Sequence, residues 1–326
     1  MARARRLFIA FICCAAVIGG GRTIQASDSR PHPDSQGQPL YRTETTLVAL
    51  NVTVLDARQH IVQGLSRSDF EVLEDGVPQE LAFFGGEQVP VDLVLVLDTS
   101  ASMGPRLAIV KKAAIRFLRA LRPADRASVV AFGCSAQVVQ TLTADRDAAE
   151  QAIAGVMAGG HTPLYTTLYV VLRQFASSSR EQTEVRRPAI VVLTDGEDNA
   201  SIVSGESLID LVRQTGIAIY PISITSSRSS RQANEPRARK SKVLTDYEYA
   251  LKALATESGG VAYFPDYLSD LDTVYGNVAS EVATQYSMAY VPKLQPGIRI
   301  FKRLLVRVVT RAGLRPRTRQ GYAVGN

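Results

Sequence analysis

The chain has 326 residues, of which 46% are hydrophobic and 21% charged, with no tryptophan. That length suits one large or two modest domains with a buried core, and the composition is that of an ordinary globular protein. The formal net charge of +6 does not argue for nucleic-acid binding: Arg3, Arg5, Arg6 and Arg22 stand in the first 26 positions with no acid among them, and +6 less these four leaves +2 for the remainder.

Residues 1–26 read as a secretory signal peptide, with a basic start, the apolar run Leu7–Ile18 and then Gly19, Gly20 and Gly21. The run falls short of the roughly 20 apolar residues a membrane span needs. Contact with a membrane is expected only if the segment stays uncleaved as an anchor. Cleavage fits after Gly20 or after Ala26, whereas Phe11 and Ile12 are too large for a lipoprotein site at Cys13. The expected destination is therefore the periplasm, the cell envelope or the medium. Cys13 and Cys14 leave with the leader, so Cys134 remains alone and no intrachain disulfide can form. Following an apolar strand, Cys134 reads as a half-buried structural thiol. Residues 27–41, rich in Ser, Asp, Pro, Gln and Gly, read as a flexible linker.

Residues 42–88 have β character. Thr46–Leu55 alternates as a half-buried strand, Asp69–Glu74 forms a second, Glu74-Asp75-Gly76 is a strong turn signal, and Gln79–Phe84 gives a third strand. This segment is too short to build a stable sheet core alone. From residue 89 the pattern changes. Val91–Leu97 is almost continuously apolar, as a strand covered on both faces should be. Pro105–Arg122 carries Leu107, Val110, Ala114, Phe117 and Leu121 at helical spacing, with Pro in the first turn. Strands are expected at 127–133, 137–142, 189–193, 217–224 and 261–264, and helices at 146–156, 163–175, 207–214, 247–257 and 268–284. Alternation of this kind over 89–284 specifies an α/β fold: an open, doubly wound, mostly parallel sheet with helices on both faces. Residues 285–322 return to β, with Pro296-Gly297 as a turn between strand-like Gln285–Val291 and Phe301–Val309. The two β flanks are expected to form one small β-module into which the α/β segment is inserted. Residues 225–242, which carry Arg228, Arg231, Arg237, Arg239, Lys240 and Lys242, read as an exposed, solvated insertion.

Three separated pieces carry the chemistry. Asp98-Thr99-Ser100-Ala101-Ser102 follows the first central strand, Gly159-Gly160-His161-Thr162-Pro163-Leu164 enters a helix, and Thr194-Asp195-Gly196 follows a second central strand. In an open parallel sheet, ligands gather at the carboxyl ends of strands where the winding reverses. If the strands starting at 91 and 189 are neighbours, Asp98 and Asp195 enter one crevice. Asp98, Ser100, Ser102, Thr162 and Asp195 offer two carboxylates and three hydroxyls, all oxygen, which suits a hard cation such as Mg²⁺ and not Zn²⁺. Because the hydroxyls are neutral, the ion keeps Lewis acidity toward a further carboxylate supplied by a partner.

At these positions the chain resembles the von Willebrand factor A family. The family's metal-ion-dependent adhesion site joins an Asp-x-Ser-x-Ser loop, matched by Asp98, Ser100 and Ser102, to a distant Thr, matched by Thr162, and a later Asp, matched by Asp195. The resemblance covers about residues 89–284. It implies a Rossmann-like sheet, a bound Mg²⁺ (or Mn²⁺ or Ca²⁺), and a non-enzymatic role in binding another protein through an acidic residue, in adhesion or envelope assembly. The flanks, with Asp69-Phe70-Glu71 and Glu74-Asp75-Gly76, resemble bacterial exported members of the family.

Thr99, His161, Glu197 and Asp198 are candidates for the rim or for supporting contacts. Tyr165 and Tyr169 read as packing residues. No Gly-x-Ser-x-Gly elbow or Gly-rich phosphate loop with Lys is present. Two other readings remain open. One is an envelope scaffold in which the metal only stabilises the domain. The other is a Mg²⁺-dependent phosphohydrolase, which would want a second acid where this chain has Ser100.

Overall fold

This computed structural model describes residues 47–86, 89–180, 184–224, 245–292 and 300–324. The expected leader, the linker, the basic stretch at 225–242 and the Pro296-Gly297 turn lie outside the described residues.

Strand β1 is Val48–Leu55, β2 Phe70–Glu74, β3 Val77–Gln79 and β4 Leu81–Gly86. The α/β segment then runs β5 (Val91–Asp98), α1 (Leu107–Ala120), β6 (Arg126–Phe132), β7 (Ala136–Thr143), α2 (Arg146–Gly155), α3 (Leu164–Arg180), β8 (Arg187–Thr194), α4 (Gly205–Thr215), β9 (Ala218–Ser223), α5 (Asp246–Ser258) and α6 (Leu271–Thr284). The chain closes with β10 (Tyr286–Tyr290), β11 (Ile300–Val308), β12 (Arg315–Arg317) and β13 (Gly321–Val324).

The central sheet has the order β7-β6-β5-β8-β9, with β6, β5, β8 and β9 parallel and β7 antiparallel on one edge. Strand β5 shows why the sheet has two covered faces. Val91, Leu93, Leu95 and Leu97 pack with α1, α2 and α6, while the alternate residues Val94 and Val96 pack with α3, α4 and α5. Period-two alternation therefore feeds two separate cores, and the near-continuous apolar sequence follows from that. The chain leaves β5 toward β6 on one side and later builds β8 and β9 on the other, so the winding reverses between β5 and β8.

Both flanks contribute to two further antiparallel sheets, β12-β1-β10-β4 and β13-β11-β2-β3. In the first, strands from before and after the α/β segment alternate. Neither flank can complete its sheet without the other, in keeping with the shortness of each flank alone. The shared core draws Leu50, Val52 and Val54 from β1, Phe70 and Val72 from β2, Met288 and Tyr290 from β10, and Leu304 and Val306 from β11. The whole α/β segment is inserted between β4 and β10, which pair directly, with Gly86 opposite Ser287.

A buried polar junction fixes this insertion. The Arg187 guanidinium at the start of β8 donates to the carbonyls of Val89 (2.7 Å), Ala283 (3.4 Å) and Gln285, so one side chain ties the entry of the segment to its exit. Nearby, Glu281 of α6 accepts from Thr53 (3.3 Å), Tyr220 (3.1 Å) and Arg317, and the Gln285 amide donates to Tyr220 (2.9 Å) and Thr53 (3.2 Å). Arg319 inserts where α4 and α5 end. Gly216 (φ 64°) and Gly259 (φ 86°) close those helices in the left-handed region, and a Cβ on either would strike Arg319. These contacts put the β flanks at the amino ends of the parallel strands.

Four local expectations are corrected. The stretch 79–84 is not one strand: Pro78 sits in β3, an edge strand closed onto β2 by the Asp75-Gly76 turn (φ 48° and 84°), and β4 begins at Leu81 in the other sheet. Helix α1 starts at Leu107, so Pro105 lies in the turn before it and not in the first helical turn. Residues 261–264 form only an isolated bridge, Tyr263 to Ile222, since the Gly259-Gly260 helix end and Pro265 bracket too few residues for a strand. Cys134 is exposed, because β6 ends at Phe132 and the thiol falls in the turn to β7.

Replacing Arg187 by Ala should lower the unfolding free energy by about 2–4 kcal/mol, because several buried carbonyls lose a charged donor. Urea unfolding of the variant measures this, and a change within about 0.5 kcal/mol would show that the junction does not depend on Arg187.

Candidate functional site

Strand β5 is buried along its whole length and ends on Asp98, which stands at the carboxyl end of the sheet with 0% exposure. One carboxylate oxygen of Asp98 accepts from the Ser100 backbone N–H (2.8 Å) and the other from the Thr194 hydroxyl (2.6 Å). The first contact is a local turn that an Asp makes with the backbone two residues on. The second joins β5 to β8 at their carboxyl ends. After a single 3-10 turn at Ala101–Met103, anchored by the fully buried Met103, the chain enters α1.

The Thr162 loop is locked from two directions. Gly159 donates its N–H to the Thr99 carbonyl (2.7 Å), and Ala101 donates to the Gly160 carbonyl (3.2 Å). That approach demands glycine: a Cβ on Gly160, which has φ 85°, would stand 2.3 Å from the Cys134 nitrogen, and one on Gly133 would stand 2.3 Å from the Gly159 oxygen. From the other side, the Thr162 N–H donates to the Asn199 side chain (3.0 Å) and the Asn199 N–H to the Thr162 carbonyl (3.2 Å). Thr162 is buried, and its hydroxyl lies beside Gly196, 3.6 Å from where a Cβ would be.

The third piece meets the first through hydroxyls. Ser100 Oγ lies 3.0 Å from Ser102 Oγ, and Ser102 Oγ donates to Asp195 Oδ1 at 2.8 Å. The second Asp195 oxygen, Oδ2, accepts from the Arg106 guanidinium at 2.8 Å. Asp98, Ser100, Ser102 and Asp195 are thus brought together by direct contacts, and Thr162 borders the same loop through Gly196.

The four supporting candidates separate. Thr99 is buried, and its hydroxyl and N–H both donate to the Phe132 carbonyl, tying the loop to β6. Asp198 accepts from the Tyr165 N–H at the start of α3 (3.0 Å) and from Ala200 and Ser201, a carboxylate well placed against a helix N-terminus. His161 and Glu197 are exposed. Tyr165 and Tyr169 pack partly buried against the core on the α3 side, as packing residues would. One participant carries little sequence signal, Arg106. Thr194 ends β8 within the Thr194-Asp195-Gly196 piece, and Asn199 lies in the loop that follows it. Arg106 is an ordinary surface-type residue whose role appears only once β8 lies beside β5.

Electrostatically the crevice is rich in anions. Burial pushes the Asp98 carboxyl above its ordinary range, hydrogen bonds from Thr194 and Ser100 pull it back in part, and the Asp195 charge pushes it up again. Among the described residues no group of three or more His, Cys, Asp or Glu is clustered as for a metal. What converges here is two carboxylates with neutral hydroxyls, the donor chemistry of a hard-cation site.

Thr194→Val should cost about 1.5–3 kcal/mol, since a buried carboxylate loses its donor, whereas Thr194→Ser should cost clearly less. Chemical denaturation of both variants makes the comparison. Equal losses would assign the effect to the methyl group and not to the Asp98 contact.

The sequence profile of the von Willebrand factor type A domain matches residues 92–276. An uncharacterized protein of Borreliella burgdorferi is 31% identical over 146 residues, covering 42% of this chain and 41% of that protein. Inter-alpha-trypsin inhibitor heavy chain H1 of Sus scrofa is 28% identical over 139 residues, covering 40% of this chain and 15% of the relative. The matched region is thus less than half of either relative. A solved von Willebrand factor type A structure from Catenulispora acidiphila covers 85% of this chain and 73% of its own, at 14% identity and a TM-score of 0.48. With more than half of its residues inside the profile match, the chain belongs to the von Willebrand factor type A domain family, which commonly mediates protein–protein adhesion.

Proposed function

We propose that this protein is a divalent-cation-dependent protein-binding module. In this reading Asp98, Ser100, Ser102, Thr162 and Asp195 hold Mg²⁺, with Mn²⁺ or Ca²⁺ as substitutes, and an acidic residue of the partner completes the shell. The observation that carries it is the Ser100–Ser102–Asp195 run of hydroxyl and carboxylate contacts across the β5–β8 switch point, with buried Asp98 behind it. Two nearby carboxylates that lack water gain most from a cation, and neutral hydroxyls leave that cation attractive to one more anion.

The role is taken as binding and not catalysis. The position two residues beyond Asp98, where a phosphohydrolase wants an acid, is Ser100, whose hydroxyl is engaged with Ser102. The leader-like residues 1–26 place the protein outside the cytoplasm in this reading, in adhesion or assembly at the envelope.

Calorimetric titration with Mg²⁺ of the intact protein, Asp98→Ala and Asp195→Ala tests the metal assignment. Each substitution should weaken Mg²⁺ binding by at least about tenfold to a hundredfold, and capture of a partner from envelope extract should need Mg²⁺ and fail in EDTA. Unchanged Mg²⁺ affinity in both folded variants contradicts the proposal.

A further inference from the structure

Both oxygens of the Asp195 carboxylate are already engaged by the chain itself, one by Ser102 and one by Arg106. The two contacts differ in kind. Ser102 brings a neutral hydroxyl that can turn its oxygen toward a cation while staying close. Arg106 brings a full positive charge at 2.8 Å to a carboxylate whose side chain is 0% exposed, while the Arg106 side chain as a whole is 31% exposed. Arg106 is held there by its place in the chain. It stands in the turn before α1, its N–H donates to the Met103 carbonyl (2.9 Å), and the fully buried Met103 donates its own N–H to the Ser100 carbonyl (3.0 Å). The loop that offers the two serines therefore also aims the arginine.

We propose that Arg106 tunes the affinity of the cation site by competing with the divalent ion for Asp195. The inference rests on the cation reading above and goes beyond it. A divalent ion that recruits Asp195 must either displace the guanidinium from Oδ2 or sit within its repulsive field, and both lower the affinity. The partial exposure of the Arg106 side chain lets a displaced guanidinium enter water. Arg106 also has a second effect of opposite sign. It compensates the Asp195 charge, so it stabilises the fold when no cation is bound. A residue that merely supports the loop would lower both stability and cation affinity on removal. Removing a competitor lowers the first and raises the second.

The experiment compares the intact protein, Arg106→Gln, Arg106→Lys and Asp195→Ala, using Mg²⁺ alone as the probe. Calorimetry gives the affinity, and thermal melting in EDTA and in Mg²⁺ gives the stability. Arg106→Gln should bind Mg²⁺ about tenfold tighter, which corresponds to about 1.4 kcal/mol, yet melt below the intact protein in EDTA, with the gap closing or reversing in saturating Mg²⁺. Arg106→Lys keeps the charge and should stay near the intact protein. If the intact protein binds Mg²⁺ and Arg106→Gln binds it equally or more weakly, the competition is overturned while the cation site stands. If neither binds and Asp195→Ala behaves the same, the cation reading falls and this inference with it. A readout free of the variant's folding is the side-chain NMR spectrum of the intact protein labelled in arginine. Mg²⁺ must shift the Arg106 guanidinium signal, and an unmoved signal at saturation overturns the proposal.

Discussion

A carboxylate at the end of a strand covered on both faces loses nearly all its water, and Asp98 is in that position. Such a group is tolerated only where hydrogen bonds or positive charge replace the solvent. Here the Ser100 N–H and the Thr194 hydroxyl replace part of it, and burial still holds the carboxyl above its ordinary range. Much of the surrounding structure answers to this demand. Strand β8 must lie beside β5 to bring Thr194 into reach, and the same pairing brings Asp195 opposite Ser102. Arg106 then brings a positive charge into direct contact with the second acid.

The molecule separates this solvent-poor, anionic end from a mechanically secure one. At the amino ends of the parallel strands, Arg187, Glu281, Gln285 and Arg319 join the α/β segment to the flanking sheets through buried polar contacts. Burying those groups is costly, and it is offset only by the density of hydrogen bonds among them. The insertion between two directly paired strands, β4 and β10, means that both ends of the α/β segment are held within one ladder. The carboxyl ends of the strands, by contrast, are closed by loops held through backbone contacts at Gly133, Gly159 and Gly160.

Much of this was legible in the sequence because it depends on local pattern. Val91–Leu97 and Ala189–Leu193 read as doubly covered strands, and β5 and β8 are neighbours as the position of their acids required. The motif positions Asp98, Ser100, Ser102 and Asp195 do converge, since each closely follows one of those strands. What could not be read depends on partners distant in sequence. Arg106 reaches Asp195 across 89 positions, and although Asn199 reads as near the site, its partner Thr162 stands 37 positions away. Asp198 reads from the sequence only as a rim or supporting candidate, because its partner at the N-terminus of α3 stands 33 positions away. Residues 261–264 have strand-like composition but lie between a glycine helix end and a proline, and they make a single bridge.

We propose that the oxygen cluster at the β5–β8 switch point holds a hard divalent cation. Diffraction from crystals grown with Mn²⁺, recorded for anomalous scattering, tests this most directly. The expected result is one strong peak within coordination distance of the cluster formed by Asp98, Ser100, Ser102, Thr162 and Asp195. A fully occupied Mn²⁺ elsewhere, with no peak at this cluster, would contradict it.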